Sequence, residues 1–138
     1  MAAGLDRKTL ELYLPASEAA IGQARAFVDR FEALDEHADL RFAVRLLVSE
    51  LFTNAVKYGS RHAGARVRLS VAVTDSHVRA EIGDNGRGFP GGRTTMPEAE
   101  AESGRGLAFL DALANRWGVV HNGETCVWFE LDLLVGAR

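Results

Sequence analysis

The stretch "SELFTNAVKYG", Ser49 to Gly59, places Glu50 and Asn54 among Leu51, Phe52, Ala55 and Val56. Residues at i and i+4 project from one face of a helix, so a carboxylate and a carboxamide point the same way here. Asparagine is a poor mid-helix residue, because its amide competes for backbone hydrogen bonds, and it must be compensated somewhere. For this pair alone, a solvated helix face and a joint chemical role stand as equal alternatives. Two glycine clusters bring in a second chemistry. "DNGRG", Asp84 to Gly88, follows a strand-like run, and "GRG", Gly104 to Gly106, opens a helix-like one. Glycines at a helix N-terminus let backbone N–H groups approach an anion, and the helix dipole favours negative charge there, so phosphate is the natural candidate. Each cluster taken singly is weak, since turns use glycine routinely.

The elements that must position these residues follow from periodicity. "TLELYLP", Thr9 to Pro15, alternates Leu10, Leu12 and Leu14 on one face, the pattern of a half-buried strand that Pro15 stops. Ile21, Ala24, Phe27, Val28 and Phe31 supply the apolar stripe of a helix that lacks a capping box but has Ser17 as a candidate cap. A polar link, Asp35 to Asp39, precedes a second helix marked by Leu40, Val44, Leu47, Val48, Leu51 and Ala55, running to about Tyr58 and ended by Gly59. Val67, Leu69, Val71 and Val73 alternate ahead of "TDSH", and Val78, Ala80 and Ile82 resume the pattern, which predicts a hairpin.

After Asp84 the texture changes to glycines, Pro90, Pro97 and an acidic patch from Glu98 to Glu102, a composition that cannot bury a core and predicts a long loop. Leu107, Leu110 and Leu113 restore helical spacing, and "WGVVHNGETCVWFELDLL" reads as a terminal hairpin turning at Asn122-Gly123. The order predicts an α+β fold: a two-layer α/β sandwich whose mixed, mostly antiparallel sheet is covered on one face by three helices.

Composition narrows the function classes. The 138 residues fit one domain, 1–138, and 47% hydrophobic content supplies a substantial core. Lys+Arg 16 against Asp+Glu 19 leaves a net charge of -3, which gives no electrostatic case for direct nucleic-acid binding or for coating an anionic membrane. No apolar run approaches the ~20 residues that cross a bilayer, and the N-terminus has no signal-peptide core, so a cytoplasmic location is expected. The single cysteine, Cys126, reads as a buried structural thiol. His37, His62, His77 and His121 are scattered without ligand spacing, so no zinc site is expected.

With these motifs in order, the chain resembles the ATP-binding domains of the GHKL superfamily, the Bergerat fold shared by histidine kinases, gyrases and heat-shock chaperones of the 90-kDa class. It is most similar to the small bacterial anti-sigma factor serine/threonine kinases. The likeness spans nearly the whole chain, with an N-box in "ELFTNAVKYG", a first glycine box in "DNGRG" and a second in "SGRGL". The resemblance implies that Asn54 holds the Mg²⁺ bridging the ATP phosphates and that Asp84 accepts a hydrogen bond from the adenine amino group. Gly86 and Gly88 would shape the adenine-side turn, and Gly104, Arg105 and Gly106 would bring backbone donors to the phosphates. Thr125 resembles the threonine that helps the aspartate, Glu50 would be the general base for a protein hydroxyl, and residues of about 89–103 would form an ATP lid. The chemistry is coherent beside the analogy: phosphoryl transfer needs a hard cation on oxygen ligands, fixed N–H donors and a carboxylate within reach of the attacking hydroxyl.

The implied function is an anti-sigma factor kinase that binds Mg-ATP, phosphorylates a serine or threonine on a STAS-type anti-anti-sigma factor and sequesters a sigma factor, with homodimerisation as in relatives. The alternative is a nucleotide-binding regulatory interaction module without kinase turnover, since intact nucleotide motifs do not prove catalysis. A histidine-kinase catalytic portion ranks low, because the residues before the first strand are too few for a phosphoacceptor hairpin. Lys57 is expected to serve the helix dipole, Thr94 and Thr95 to be solvated, and Arg41 and Arg45 to lie on a solvated face, with docking of an acidic partner as the sharper alternative.

Overall fold

The computed structural model describes residues 8–58, 64–84, 105–121 and 124–133; the side chains of 58 and 105–107 are left aside. The described elements run β1 (Lys8–Pro15), α1 (Ile21–Val28), α2 (Ala38–Tyr58), β2 (Arg66–Val73), β3 (His77–Asp84), α3 (Arg105–Leu113), β4 (Arg116–His121) and β5 (Thr125–Asp132), with single 3₁₀ turns at Glu18–Ala20 and Glu32–Leu34. The strands form one sheet in the order β1-β2-β3-β5-β4. Every pairing is antiparallel, so the mixed sheet expected from the sequence is, among the described residues, wholly antiparallel. Its cause is the connections: a tight turn joins β2 to β3, β4 and β5 are neighbours in sequence, and the two-helix excursion from β1 returns the chain beside β1 in the opposite sense.

Period-2 alternation decides which face is buried. Val67, Leu69, Val71 and Val73 of β2, Val78, Ala80 and Ile82 of β3, and Val127, Phe129 and Leu131 of β5 join Phe27, Val28, Val44, Leu47, Val48 and Leu51 of the helices in one core. The other face bears ion pairs, with Arg68, Arg79 and Arg116 set among Glu11, Glu81, Glu124, Glu130 and Asp132. Gly64 takes φ 84°, a left-handed conformation that suits glycine, just ahead of β2.

The first helical stripe divides. α1 stops at Val28, and Phe31 reaches the core from the following turn, where it meets Phe27 edge-on at 6.1 Å between ring centroids. Ser17 sits at the cap position but makes no side-chain cap bond; instead its backbone carbonyl accepts from Ala20 N–H at 3.1 Å. Leu110 is fully buried as expected, whereas Leu113 lies at the end of α3 and is exposed.

Arg41 departs from both expectations made for it. Its guanidinium donates to the Phe31 carbonyl at 3.0 Å, the Val28 carbonyl at 3.4 Å and the carboxylates of Asp35 at 2.5 Å and Asp29 at 3.5 Å. It therefore staples the start of α2 to the irregular segment after α1, adding charged donors to carbonyls that already accept from Phe31 and Leu34 N–H. Arg45 keeps only the Asp29 pair at 3.6 Å and is half exposed. Arg41→Ala should cost about 2 kcal/mol in urea unfolding, from lost charged hydrogen bonds, while Arg45→Ala should stay within about 0.5 kcal/mol. Equal costs would contradict the staple.

Candidate functional site

Asp84 is the last residue of β3 and only 6% exposed, one of two buried polar side chains among the described residues. Its position is set by register. Leu14, Val67, Asp84, Thr125 and His121 are successive Cα partners across all five strands, so one row crosses the whole sheet on the helix-facing side. Leu14 and Val67 are core; the row turns polar at Asp84 and stays so through Thr125 and His121. The structure thus brings Thr125 directly opposite Asp84, a neighbour relation 41 residues of chain apart in sequence number that periodicity alone does not give. The Thr125 hydroxyl also meets His121 Nδ1 at 3.3 Å.

Glu50 and Asn54 are both partly buried on α2, beside a core stripe of Leu47, Val48 and Leu51. α2 packs on β3, and its start shares a depression with Asp132, which Asp39, Leu40 and Ala43 line. Asp132 pairs with His77 at the beginning of β3. From Asp39 to Asn54 a helix advances about 22 Å, and from His77 to Asp84 a strand advances about 24 Å. Asn54 and Asp84 thus both lie in the C-terminal parts of their elements. Ser49, next to Glu50, accepts a 2.7 Å hydrogen bond from Arg25 Nε of α1, and Thr53 Oγ1 donates to the Ser49 carbonyl at 2.7 Å, which fixes this turn of α2 from two sides.

Arg105 and Gly106 are the first residues of α3, as the second glycine cluster predicts for a helix opening. Gly86, Gly88 and Gly104, the segment 89–103 with Thr94 and Thr95, and the helix-ending Gly59 lie outside the described residues. Lys57 is exposed in the last turn of α2.

Asp84, Thr125 and Asn54 are of the residue types that suit a magnesium nucleotide. A buried carboxylate and a hydroxyl on adjacent strands offer acceptor and donor to the edge of a base, and the carboxamide oxygen of Asn54 is the hard ligand type that magnesium takes. Among the described residues no cluster of His, Cys, Asp and Glu could hold a metal by itself.

The profile of the histidine kinase-like ATPase domain matches residues 14–131. The chain belongs to the histidine kinase-like ATPase domain family. An uncharacterized protein of Streptomyces coelicolor is 35% identical over 77 residues, which is 56% of this chain and 72% of that protein. Among solved structures, the RsbU and RsbW domains of Rv1364c from Mycobacterium tuberculosis superpose with a TM-score of 0.66 at 21% identity, over 90% of this chain and 32% of that one. The chain spans about a third of that structure's length, and the likeness establishes the shared fold, the GHKL ATPase sandwich. Membership of this ATPase family implies ATP binding. No described helix is long and apolar enough to cross a membrane.

Some contributors to this ATPase domain were not visible as motifs. The register pairs His121 with Thr125, while the Asn122-Gly123 turn expected from the sequence lies outside the described residues. Cys126 follows Thr125 on the opposite face, buried as expected and near Arg68, with 3.6 Å from Nη2 to Sγ. Burial, and then the Glu81 carboxylate, push its thiol up to about 11. A raised value means the folded state holds the proton more tightly. The stability this contributes is complete below the ordinary thiol value of 9.0 and is lost as pH rises toward about 11. Native protein should accordingly resist alkylation by iodoacetamide at pH 8, with labelling appearing only on unfolding. Fast labelling of the folded chain would refute the assignment of Cys126 as a structural thiol.

Proposed function

We propose that the chain is an anti-sigma factor serine/threonine protein kinase. It binds Mg-ATP in the cytoplasm, phosphorylates a serine or threonine on a STAS-type anti-anti-sigma factor, and sequesters a sigma factor when that partner is phosphorylated. Membership of the ATPase family supports ATP use, the shared fold with a structure containing an RsbW domain supports the kinase class, and the resemblance of the three ordered motifs supports the partner switch. The observation that carries the reading is the carboxylate of Glu50 one turn from Asn54, both partly buried on α2.

Each residue has a distinct task in this account. Asp84 accepts a hydrogen bond from the adenine amino group, and Thr125 supports it from the neighbouring strand. Asn54 would hold Mg²⁺, which when bound neutralises charge on the phosphates. Glu50 takes the proton from the attacking protein hydroxyl, as a carboxylate can when it lies within hydrogen-bond reach. Gly86 and Gly88 would shape the adenine-side turn, and Gly104, Arg105 and Gly106 would bring backbone donors to the phosphates, the glycines leaving room for close approach. Phosphoryl transfer asks little covalent chemistry of a protein, so positioning and one proton acceptor suffice. Homodimerisation is part of the proposal by resemblance alone.

Two sets of variants separate binding from transfer. In calorimetry, Asn54→Ala should abolish the magnesium dependence of ATP binding, and Asp84→Ala should weaken ATP at least about tenfold, the loss of one well-placed hydrogen bond to a charged group. Glu50→Gln should keep ATP affinity while phosphate transfer to the protein substrate falls about 100-fold or more. Unchanged transfer in Glu50→Gln would remove the general base from the account, and a wild-type chain that binds ATP yet never yields a phosphoprotein would leave a nucleotide-dependent interaction module.

A further inference from the structure

Behind Asp84 and Thr125, on the sheet face turned away from the helices, Glu124 lays its side chain across β3. A Cβ on Gly83 would stand 2.3 Å from Glu124 Oε2 and 2.9 Å from its carboxyl carbon, so the carboxylate occupies the volume that any side chain at 83 would fill. The same Oε2 accepts from Arg68 Nη2 at 2.9 Å and from Arg68 Nε at 3.1 Å. Arg68 is the register partner of Gly83 on β2, and Gly83 is the partner of Cys126 on β5. One ion pair thus ties the entry to β5 to β2, over the strand between them. Arg68 is also drawn by Glu81 and Glu11, each at 3.3 Å, and its side chain is only 15% exposed.

Gly83 directly precedes Asp84, and Glu124 directly precedes Thr125. Asp84 and Thr125 form the terminal rung of the β3–β5 ladder, with no further described pairing beyond them. Terminal rungs open most readily, because they are held from one side only. Recognition of a base edge by a carboxylate on one strand and a hydroxyl on the next requires that this rung stay closed. We infer that Glu124, held by Arg68 over the bare backbone of Gly83, is a positioning residue that locks the Asp84–Thr125 rung for adenine recognition. The inference rests on the reading of Asp84 as the adenine acceptor.

Gly83 acquires a defined meaning in this arrangement: it is the space through which the strap passes. Neither Arg68 nor Glu124 faces the nucleotide side, so their effect on binding must travel through the strand spacing.

The discriminating measurement is ATP against GTP affinity, together with unfolding of the ligand-free protein, for Gly83→Ala, Glu124→Ala, Glu124→Gln and the Gly83→Ala/Glu124→Ala pair. GTP shares the ribose and phosphates but presents a carbonyl oxygen where adenine has its amino group, so it does not profit from Asp84. Glu124→Ala should weaken ATP about tenfold, as loss of an outer positioning partner does elsewhere, and leave GTP unchanged. Glu124→Gln, which still accepts from Arg68, should recover most of the preference. Gly83→Ala should copy Glu124→Ala in the wild-type background and add nothing when Glu124 is already alanine, in binding and in unfolding alike. Parallel losses of ATP and GTP, an unchanged ATP preference in Glu124→Ala, or additive effects of the two substitutions would overturn the inference. Asp84→Ala separates the two levels. If it too retains the base preference, the reading of Asp84 falls and takes the strap's role with it. If it loses the preference while the strap variants keep it, only the positioning role falls.

Discussion

The register of β3 against β5 is the constraint on which the rest depends. Because the side-chain period of a strand is two, a slip of β5 by one residue against β3 would turn Thr125 to the outer face and set Cys126 or Glu124 opposite Asp84 on the inner one. Everything assigned to the site would be lost in that slip, although every strand would keep its hydrogen bonds. The register is held from both faces. On the inner side, Val78, Ala80 and Ile82 stand opposite Leu131, Phe129 and Val127 in the core. On the outer side, Arg79 joins Glu130 at 3.0 Å and lies over the Trp128 ring at 4.4 Å from its centroid, while Arg116 joins Glu130 at 2.6 Å and also pairs with Asp132. The Arg116 hydrogen bond, opposed by burial and aided by Arg79, holds the Glu130 carboxyl below its usual range, so this lock is made above that range and weakens as pH falls through it.

The site and the fold meet at a local conflict. A carboxylate at a core position costs several kcal/mol of desolvation unless its surroundings compensate, and a purely structural sheet would place a valine in that row. Asp84 continues the row begun by Leu14 and Val67, yet it is the point at which hydrophobic filling stops and recognition begins. Glu50 and Asn54 make the same transition on α2, next to buried Leu47 and Leu51. Both transitions fall in the C-terminal parts of their elements, the long helix and the central strand. The depression around Asp39 and Asp132 lies at the start of α2.

Much of the architecture was legible because it is periodic. Alternating Leu10, Leu12 and Leu14, and alternating Val67, Leu69, Val71 and Val73, predict strands with the inner face correctly assigned, and Leu47, Val48 and Leu51 predict the buried side of α2. Glu50 and Asn54 were legible as a same-face pair for the same reason. What periodicity does not encode is pairing between distant segments. The opposition of Asp84 and Thr125, the Arg68–Glu124 contact across Gly83, and the use of Arg41 to bind carbonyls after α1 all depend on which strands and turns become neighbours. Arg41 is the clearest case: a helix-surface arginine at i and i+4 from Arg45 looks solvated in any one-dimensional reading, and the structure spends it internally. Gly83 likewise resembles a dispensable strand glycine until the Glu124 carboxylate is seen to fill its missing side chain.

The central claim is that the polar end of β3, its partner on β5 and the Glu50–Asn54 turn of α2 form one nucleotide site. Backbone amide NMR during titration with Mg-ATP tests it most directly, because every described segment reports at once. The account predicts that the largest shifts gather at residues 50–54, 83–84 and 125–126, and that residues 38–43 and 132 at the opposite end stay still. Shifts concentrated at that opposite end, or none at saturating nucleotide, would contradict it.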